Sequence, residues 1–378
     1  MIKGAAGPVR PASKERREGV PLEDGMDTRL KGIHHITLCP GGAQEDVDFF
    51  TKVLGQRLVK QTVLMDGSIP VYHFYYGNAD ADPGSILTCF PYSRRPGRRG
   101  TGQIGITSFS VPVGSTPFWA NHFDRHRVCH SGIQERFGAR SIRVTHPAGL
   151  ELEVVENPGD SRRPWTTPEI SADVAIRGFF GATMSVRDVD EQETFLVHAL
   201  GFRKVGVEGA CHRFEIPNGG PDRTIELLHE PNRPQGSWTF GAGTAHHIAF
   251  HVDTDDALIE QKALYEELGY TDTSEVKDRF YFHSMYVRSP GGVLVECTAN
   301  VPGGFLVDET PDELGTHLNL PPWYEDQRDI ILQQLEPVVV PDANLPKPGA
   351  SRPKAVAMEP PAPAITLSRT KAEFSKAH

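Results

Sequence analysis

The stretch Gly243-Thr-Ala-His246-His247-Ile-Ala-Phe-His-Val252 predicts a β-strand, because it is apolar and contains β-branched residues. Leucines at helical spacing follow it, and Gly269 predicts the end of that helix. The stretch Ser289-Pro-Gly-Gly-Val-Leu-Val-Glu296-Cys-Thr298 then predicts a turn and a further strand. Sheet folding would bring a histidine of the first strand close to Glu296 of the last. These residues are candidate metal ligands if the chain supplies a third.

The same order of strand, helix and three strands recurs through the chain. The first unit is predicted to have a strand at 30–38, a helix at 44–54 and strands at 57–64, 71–76 and 85–90; the second has a strand at 103–112, a helix at 116–127 and strands at 133–137, 140–145 and 150–155; the third has a strand at 177–186, a helix at 189–200 and strands at 203–207, 211–216 and 224–229. The stretch quoted above is the fourth unit. Repetition of this length indicates one supersecondary unit used four times.

The repeats predict an α+β fold of four βαβββ units in two domains. We assign residues 1–28 to a flexible extension, 29–158 to an N-terminal domain, 159–174 to a linker, 175–301 to a C-terminal domain, 302–336 to a loop and helix, and 337–378 to a proline-rich, disordered tail. Because the candidate ligands come from units one and four, we expect these two units to pack together. Units two and three would then form the other half.

Paired histidines lie at matching positions in two of the units. Gly32-Ile-His34-His35-Ile-Thr37 of unit one aligns with Thr244-Ala-His246-His247-Ile-Ala of unit four, whereas units two and three have Gly105-Ile106 and Phe180-Gly181 there. One histidine of each pair should face the interior of a barrel, because adjacent strand residues point to opposite faces. Core packing could explain either pair alone. Both pairs, in register with Glu296, favour a metal site.

The last strands differ in the same comparison. Where unit four has Glu296, unit one has Thr88 and unit two has Glu153, which has no histidine in its own unit and is predicted to be structural. Two imidazoles and one carboxylate are typical of non-haem iron(II) sites with open coordination positions, and manganese or zinc would also suit them. His122, His126 and His130 lie at helical spacing, but no carboxylate arrangement in the sequence marks them as a site.

Composition limits the kinds of partner and compartment. The 378 residues carry a net charge of -10, which argues against nucleic acid and against an acidic membrane surface as partners. The sequence has neither a hydrophobic signal region nor a stretch approaching the ~20 apolar residues of a membrane helix. Five separated cysteines without CxxC spacing indicate reduced thiols in a cytoplasmic protein.

The units resemble the vicinal oxygen chelate superfamily of glyoxalases, bleomycin-resistance proteins and extradiol dioxygenases. Within it, the chain is most similar to the hydroquinone and chlorohydroquinone ring-cleaving dioxygenases. The motifs that carry the resemblance are Gly32-Ile-His-His-Ile-Thr37, Gly55-Gln-Arg-Leu-Val-Lys60, Asp66-Gly-Ser-Ile-Pro-Val-Tyr-His73, His229-Glu-Pro-Asn-Arg-Pro-Gln-Gly-Ser-Trp238, His246-His247 and Tyr286-Val-Arg-Ser-Pro-Gly-Gly-Val-Leu-Val-Glu296. The resemblance implies two barrel domains of the vicinal oxygen chelate type.

The resemblance also implies the roles of individual residues. It implies that the metal ligands are His35, His247 and Glu296, and that the surrounding catalytic residues are His34, Thr37, His246, Arg279 and Tyr286. Where the family usually has a glycine and a glutamate after that arginine, this chain has Phe280 and His283. A larger residue beside the pocket would change which ring substituents fit.

The implied function is an iron(II)-dependent dioxygenase that opens hydroquinone-type diols with O2, between a hydroxylated carbon and its neighbour. Manganese(II) is the alternative metal, and a small aromatic diol and O2 are the expected partners. Extradiol cleavage of catechols is a close alternative, because the three ligands do not distinguish para from ortho diols. A zinc or nickel isomerase or lyase of the glyoxalase kind is disfavoured by Thr88, and a binding protein would need no metal ligands. The sequence leaves homo-oligomerisation open.

Overall fold

The computed structural model describes residues 29–64, 70–91, 95–238 and 241–341. All four units are present, with the following elements. Unit one has β1 (Gly32–Cys39), α1 (Ala43–Asp48) continued by a π-helical turn (Phe49–Val53), β2 (Arg57–Val63), β3 (Tyr72–Gly77) and β4 (Ile86–Cys89); unit two has β5 (Gln103–Val111), α2 (Thr116–Arg125), β6 (His130–Arg136), β7 (Ala139–Thr145) and β8 (Glu151–Glu156). Unit three has β9 (Gly178–Val186), α3 (Val189–Thr194) continued by a π-helical turn (Phe195–Ala199), β10 (Arg203–Glu208), β11 (Cys211–Glu215) and β12 (Thr224–His229); unit four has β13 (Thr244–His251), α4 (Asp255–Glu267), β14 (Lys277–Asp278), β15 (Phe282–Arg288) and β16 (Leu294–Asn300).

The strands form two eight-stranded sheets, which we call the first and the second sheet. The first sheet has the order β14-β15-β16-β13-β1-β4-β3-β2 and joins unit four to unit one; the second has the order β10-β11-β12-β9-β5-β8-β7-β6 and joins unit three to unit two. The predicted α+β fold and the predicted pairing of units are confirmed. Each sheet draws one unit from each of the predicted ranges 29–158 and 175–301, so proximity in the sequence does not decide which units share a sheet.

The helices of units one and three change from α-helical to π-helical geometry before they end, which the sequence did not predict. Continuous helices over 44–54 and 189–200 were expected, but α1 and α3 each give way to a π-helical turn after six residues. The Leu54 N–H donates to the Phe49 carbonyl, five residues back, at 3.0 Å, which is the bonding of a π-helix. Gly55 and Gly201 then end the two segments with φ of 64° and 72°, as the sequence indicated.

A C-terminal segment covers the edge of the first sheet. It contains 3-10 turns at Gly304–Leu306 and Pro322–Gln327 and the helix α5 (Arg328–Gln334). Leu318 bridges to Gln61 of the edge strand β2, and a Cβ on Gly315 would lie 1.9 Å from the Leu58 carbonyl oxygen, so only glycine allows this approach. Covering an edge strand removes unpaired backbone groups that would otherwise invite pairing with another chain.

The buried ammonium group of Lys60, on β2, anchors this C-terminal segment. Its ammonium is fully buried, lies 2.6 Å from Asp308, pairs also with Glu309, and donates to the Phe305 carbonyl at 3.1 Å. A buried charge needs such partners, because its desolvation is otherwise very costly. The contact ties β2 to the chain beyond β16.

Two further observations bear on the sequence predictions. None of the helices in the described ranges is long and apolar enough to cross a membrane. All five cysteines are free thiols; Cys39, Cys89 and Cys297 are buried, and Cys129 is exposed. The predicted extension 1–28 and residues 342–378 of the predicted tail lie outside the described residues.

Candidate metal centre

The two strands that join units one and four, together with β16, bring three candidate ligands to one point. His35 lies on β1, His247 on the neighbouring β13 and Glu296 on β16, and their exposed fractions are 3%, 4% and 0%. The two Nε2 atoms are 3.0 Å apart, and Glu296 Oε2 lies 2.8 Å from His247 Nε2 and 3.4 Å from His35 Nε2. We call these three residues the triad.

The triangle of donor atoms fits a divalent cation. Ligand atoms at ~2.1 Å from a metal and at right angles to one another are about 3.0 Å apart, close to the three separations in the triad. Glu296 Oε2 is buried yet accepts no hydrogen bond within the described residues, although both imidazoles lie beside it. Two imidazole nitrogens and a carboxylate oxygen that converge on one buried point, with that oxygen left without a hydrogen bond, are the arrangement expected of metal ligands.

A β-bulge positions each histidine pair. Ile33 pairs with Phe250 and His35 with Ala249, so His34 is the extra residue on β1; Thr37 pairs with His247 and Leu38 with Ala245, so His246 is the extra residue on β13. We expected the two rings of each pair to lie on opposite faces. The bulges bring them together instead, because an inserted residue disturbs strict alternation and re-aims side chains.

The bulge residues lie within hydrogen-bond distance of the triad imidazoles. His34 Nε2 lies 2.8 Å from Asn300 Oδ1, and His34 Nδ1 lies 2.8 Å from His35 Nδ1. An amide oxygen only accepts, so His34 donates through Nε2, accepts at Nδ1 and requires His35 to donate through Nδ1. The lone pair of His35 Nε2 therefore points to the triad centre. His246 Nδ1 lies 2.5 Å from His247 Nδ1 in the matching arrangement.

Hydroxyl groups complete the surroundings of the triad. Thr37 Oγ1 lies 2.8 Å from His247 Nε2 and 2.7 Å from Thr88 Oγ1, and Thr298 Oγ1 donates to Glu296 Oε1 at 3.2 Å. Thr88 thus presents a hydroxyl where a second metal-binding carboxylate would have to lie. The triad has one carboxylate and two imidazoles.

Arg279 and Tyr286 also lie beside the triad. The Tyr286 ring meets the His247 ring edge-on at a centroid distance of 5.6 Å. Arg279 Nη2 donates to the Tyr286 hydroxyl at 3.3 Å. All the residues implied by the family resemblance, which are His34, Thr37, His246, Arg279 and Tyr286, therefore surround His35, His247 and Glu296.

The local environment sets the charges of these groups. Burial lowers the pKa of His34, His246 and His247, and it raises the pKa of Tyr286. Burial alone would raise the pKa of Glu296, but the neighbouring His35 and His247 outweigh it and hold that pKa well below its usual range. Neutral imidazoles with an ionised carboxylate are a donor set that binds a divalent cation.

The two residues that depart from the family pattern lie away from the triad. Phe280 packs against Tyr281 and Trp323, with ring centroids at 5.0 and 5.9 Å, and therefore contacts the C-terminal segment. His283 pairs with Asp255 of α4 at 2.8 Å. Phe282, in contrast, lies against both His34 and His35, at 5.4 and 5.3 Å. The phenylalanine beside the triad is thus Phe282, and the expectation that Phe280 lies beside the pocket is wrong.

Sequence reasoning missed two further polar residues near the triad. Asn300 continues the alternation of Glu296 and Thr298 along β16, and this period of two was the available signal. His73 belongs to a quoted motif but received no role. Its Nδ1 lies 3.0 Å from the Tyr75 hydroxyl, while its buried Nε2 has no hydrogen-bond partner in the described residues. Burial, followed by the nearby His35 and His247, lowers the pKa of His73.

The corresponding positions of the second sheet hold an ion-pair cluster. Glu153 accepts from Ser108 and Ser141 at 2.9 Å and lies 3.2 Å from Arg136, which bridges to Glu226 at 2.8 Å. Arg213 also pairs with Glu226, at 2.6 Å. Guanidinium groups thus neutralise the carboxylates here, which agrees with the predicted structural role of Glu153.

Comparisons with known proteins agree with this geometry. Residues 179–297 match the family model described as Glyoxalase/Bleomycin resistance protein/Dioxygenase superfamily. The chain is 39% identical over 320 residues to chlorohydroquinone/hydroquinone 1,2-dioxygenase of Sphingobium indicum, covering 83% of this chain and 99% of the relative. It is 40% identical over 316 residues to the candidate ring-cleaving dioxygenase MhqO of Bacillus subtilis, with the same coverages.

Solved structures extend the comparison. A crystal structure of a candidate dioxygenase from Bacillus subtilis superposes with a TM-score of 0.78 at 38% identity, covering 83% of this chain and 99% of that one. Glyoxalase I from Zea mays superposes with a TM-score of 0.52 at 12% identity, covering 71% of this chain and 92% of that one. The second similarity is one of fold.

Proposed function

The chain belongs to the ring-cleaving dioxygenases of the Glyoxalase/Bleomycin resistance protein/Dioxygenase superfamily, and from that premise we propose that it opens hydroquinone-type diols with dioxygen at an iron(II) held by His35, His247 and Glu296. Manganese(II) would suit the same donor set. The observation that supports the proposal most directly is the triangle formed by two imidazole nitrogens and one carboxylate oxygen, with separations of 3.0, 2.8 and 3.4 Å. Three protein ligands on one side of a metal leave neighbouring positions for a substrate hydroxyl and dioxygen.

Iron(II) bound there would supply electron transfer between an ionised diol and dioxygen held side by side. The protein residues then bind and orient the substrate. Arg279 and Tyr286, which are hydrogen-bonded to each other at 3.3 Å, are assigned to the hydroxyl that does not reach the metal. Cleavage between a hydroxylated carbon and its neighbour requires that this second hydroxyl be recognised separately, because para hydroxyls cannot both reach one metal.

We assign proton transfer to His246. Its pKa is lowered by burial, so the imidazole is neutral near neutral pH and can accept the proton of a substrate hydroxyl. His34 contacts the Nδ1 side of the His35 imidazole, Thr37 lies beside His247 Nε2, and both are assigned as positioning residues. The free thiols are consistent with the proposed cytoplasmic location.

Oxygen uptake tests the proposal. Metal-free protein is reconstituted anaerobically with iron(II) and then mixed with hydroquinone, chlorohydroquinone or catechol. We expect uptake with the para diols, and we expect His247→Ala to lose it, because two remaining ligands hold the metal poorly. His229→Ala is the matched control, since His229 is exposed at the end of β12.

Each outcome has a distinct meaning. Uptake with catechol alone would retain ring cleavage and reject the para-diol substrate. Absence of uptake from iron-loaded protein with all three diols would reject the proposal. The isomerase alternative lacks the additional carboxylate that it would need, since Thr88 and Thr37 occupy that side of the triad.

A further inference from the structure

A second group of potential ligands lies outside the triad, where α2 meets the linker that follows β8. His122 lies on α2, His126 caps the end of that helix, and Glu169 lies on the linker. Their ligand atoms all lie within 4.8 Å of one another. The sequence showed the histidine spacing but gave no sign of a carboxylate, because Glu169 is 43 residues from His126 and only the fold brings it near.

His122 is oriented as a ligand would be. Its side chain is fully buried, and its Nε2 lies 2.9 Å from the Val53 carbonyl oxygen. A carbonyl only accepts, so His122 donates through Nε2 and its Nδ1 carries the lone pair. Metal-binding histidines commonly donate their other ring N–H to a backbone carbonyl in this way, which fixes both the tautomer and the ring orientation. The lone pair faces the side on which Glu169 lies, 4.0 Å away.

The spacing of the three groups suits a small cation. His126 Nε2 lies 3.2 Å from Glu169 Oε2, and the ring centroids of His122 and His126 are 4.4 Å apart. Tetrahedral zinc with bonds of ~2.1 Å places its ligand atoms about 3.4 Å apart. The His126–Glu169 pair already meets this separation, and the His122–Glu169 pair, at 4.0 Å, needs a movement of about half an ångström. The two histidine nitrogens lie within 4.8 Å of each other and need to approach by up to about 1.4 Å. The exposed Glu169 and the partly exposed His126 can supply these movements.

We propose that His122 Nδ1, His126 Nε2 and Glu169 form a second divalent-cation site, best suited to zinc, with water as the fourth ligand. Two neutral imidazoles and one carboxylate with an open position are a zinc-binding set. Because one side of the site is exposed, the cation can exchange with solvent. The site is separate from the triad and does not depend on the proposed reaction.

Arg125 competes with a cation for this site. Its Nη2 lies 3.2 Å from His122 Nδ1 and donates to that lone pair. Arg125 is exposed, so its side chain can turn toward solvent when a cation binds. Its charge nevertheless opposes a second positive charge. Replacing Arg125 should therefore strengthen zinc binding, whereas a purely structural role of the histidines predicts no such gain.

A cation here would join segments that the fold already brings together. The linker is anchored just after Glu169: the Trp119 indole donates to the Val174 carbonyl at 2.9 Å, and a Cβ on Gly55 would lie 2.5 Å from Ile170 Cδ1. The backbone that carries Glu169 is thus fixed against both α2 and unit one. Zinc would tie unit two to the linker at the junction of the two sheets.

Zinc titration of untagged protein tests the site. In His247→Ala, which weakens the triad, competition with a chromophoric chelator should show one zinc per chain. Adding His126→Ala or Glu169→Gln should weaken that binding by at least about 10-fold, and adding Arg125→Ala should strengthen it. His130→Ala is the matched control, because His130 forms a similar surface pair with Asp124 at 3.2 Å.

Thermal unfolding gives an independent reading. Zinc should raise the melting temperature of His247→Ala, and this shift should vanish in His247→Ala with Glu169→Gln, because a ligand stabilises only the folded state that it binds. If His247→Ala binds no zinc, or if His126→Ala and Glu169→Gln leave its affinity unchanged, these residues form a surface ion pair only and the proposal is wrong. Wild-type protein should bind two zinc ions where His126→Ala binds one.

Discussion

At the scale of single residues, the tautomer of His35 depends on Asn300, which acts through its hydrogen bond to His34. Asn300 accepts from His34 Nε2, which makes His34 an acceptor at Nδ1 and leaves the His35 Nε2 lone pair to face the triad centre. The chain of hydrogen bonds therefore selects one tautomer of each imidazole. A ligand whose tautomer is fixed in advance does not have to reorganise when a metal binds.

We predict that Asn300→Ala weakens iron(II) binding by about 10-fold, the lower end of the range for residues that orient ligands. The substitution leaves the buried His34 Nε2–H without an acceptor and frees its ring to change tautomer. Affinity is measured by competition with a colorimetric chelator. Asn300→Asp is the control, because a carboxylate oxygen still accepts. Equal weakening in both variants would indicate that packing at this position, rather than the hydrogen bond, supports the metal.

At the scale of elements, the alternation of strand residues predicted the strands but failed at the bulges. Alternation places neighbouring residues on opposite faces, so only one histidine of each pair was expected inside. Register shifts at His34 and His246 bring both rings to the site, and the second sheet has matching shifts around Gly105 and Phe180. A bulge depends on pairing across strands, and no local signal in these sequences reveals it. The repeat and the family resemblance did predict the three candidate ligands, His35, His247 and Glu296, which the fold brings together.

The loop before β15 contains a backbone conformation that favours glycine. Phe280 has φ of 68°, in the left-handed region, although its side chain is bulky. The ring is held by contacts with Tyr281 and Trp323. Packing against the C-terminal segment therefore offsets the backbone cost. This explains how phenylalanine can occupy a position whose backbone conformation favours glycine.

We predict that Phe280→Gly is more stable than Phe280→Ala by about 1 kcal/mol. Both substitutions lose the ring contacts, so their difference isolates the cost of a Cβ at positive φ. The measurement is the free energy of unfolding in urea. The same pair of substitutions at His283, within β15, should show the opposite order, because glycine weakens a strand interior. Equal stability of the two Phe280 variants would mean that the loop relaxes to another conformation.

At the scale of the whole molecule, the sequence predicted that units one and four pack together, because the candidate ligands come from these two units, and the first sheet joins them. It did not predict the contacts that join distant segments. Lys60 pairs with the carboxylates of Asp308 and Glu309, which lie about 250 residues further along the chain. Arg136 of unit two pairs with both Glu153 of the same unit and Glu226 of unit three. Such pairs depend on the final packing of sheets. Composition and periodicity therefore cannot reveal them.

The helix of unit one meets the β7–β8 turn of unit two through a buried pair of this kind. Asp46 Oδ1 and His146 Nε2 are 3.9 Å apart, and neither atom has a hydrogen-bond partner in the described residues. Burial raises the pKa of Asp46 to about 8, against hydrogen bonds from Tyr76 and Cys89, and burial lowers the pKa of His146 to about 4. Both groups are therefore neutral in the folded protein near pH 7.

We predict that Asp46 makes the free energy of unfolding of wild-type protein fall between pH 6.5 and 8. Asp46→Asn should abolish this contribution. The folded protein retains the Asp46 proton up to a pKa of about 8, whereas the unfolded chain loses it near 3.8. Stability from this group is thus complete below pH ~4 and falls as pH rises, by up to about 1.4 kcal/mol per pH unit. His146 acts in the opposite sense, but only below its unfolded pKa of ~6.5. Above pH 6.5, Asp46 is therefore the member of this pair that makes the free energy of unfolding change with pH.

The measurement is the free energy of unfolding in urea at pH 6.5, 7.25 and 8.0, compared between wild type and Asp46→Asn. Asparagine keeps an acceptor for Tyr76 and cannot ionise, so the variant should gain on wild type by up to about 1.4 kcal/mol for each pH unit, with a smaller gain near pH 8, where Asp46 itself begins to ionise. Asp48→Asn on the same helix is the control, since Asp48 is partly exposed and pairs with Lys52 at 2.8 Å. Its profile should run parallel to that of wild type. Parallel profiles for Asp46→Asn as well would mean that the carboxylate is ionised in the folded protein, with the charge of a protonated His146 beside it.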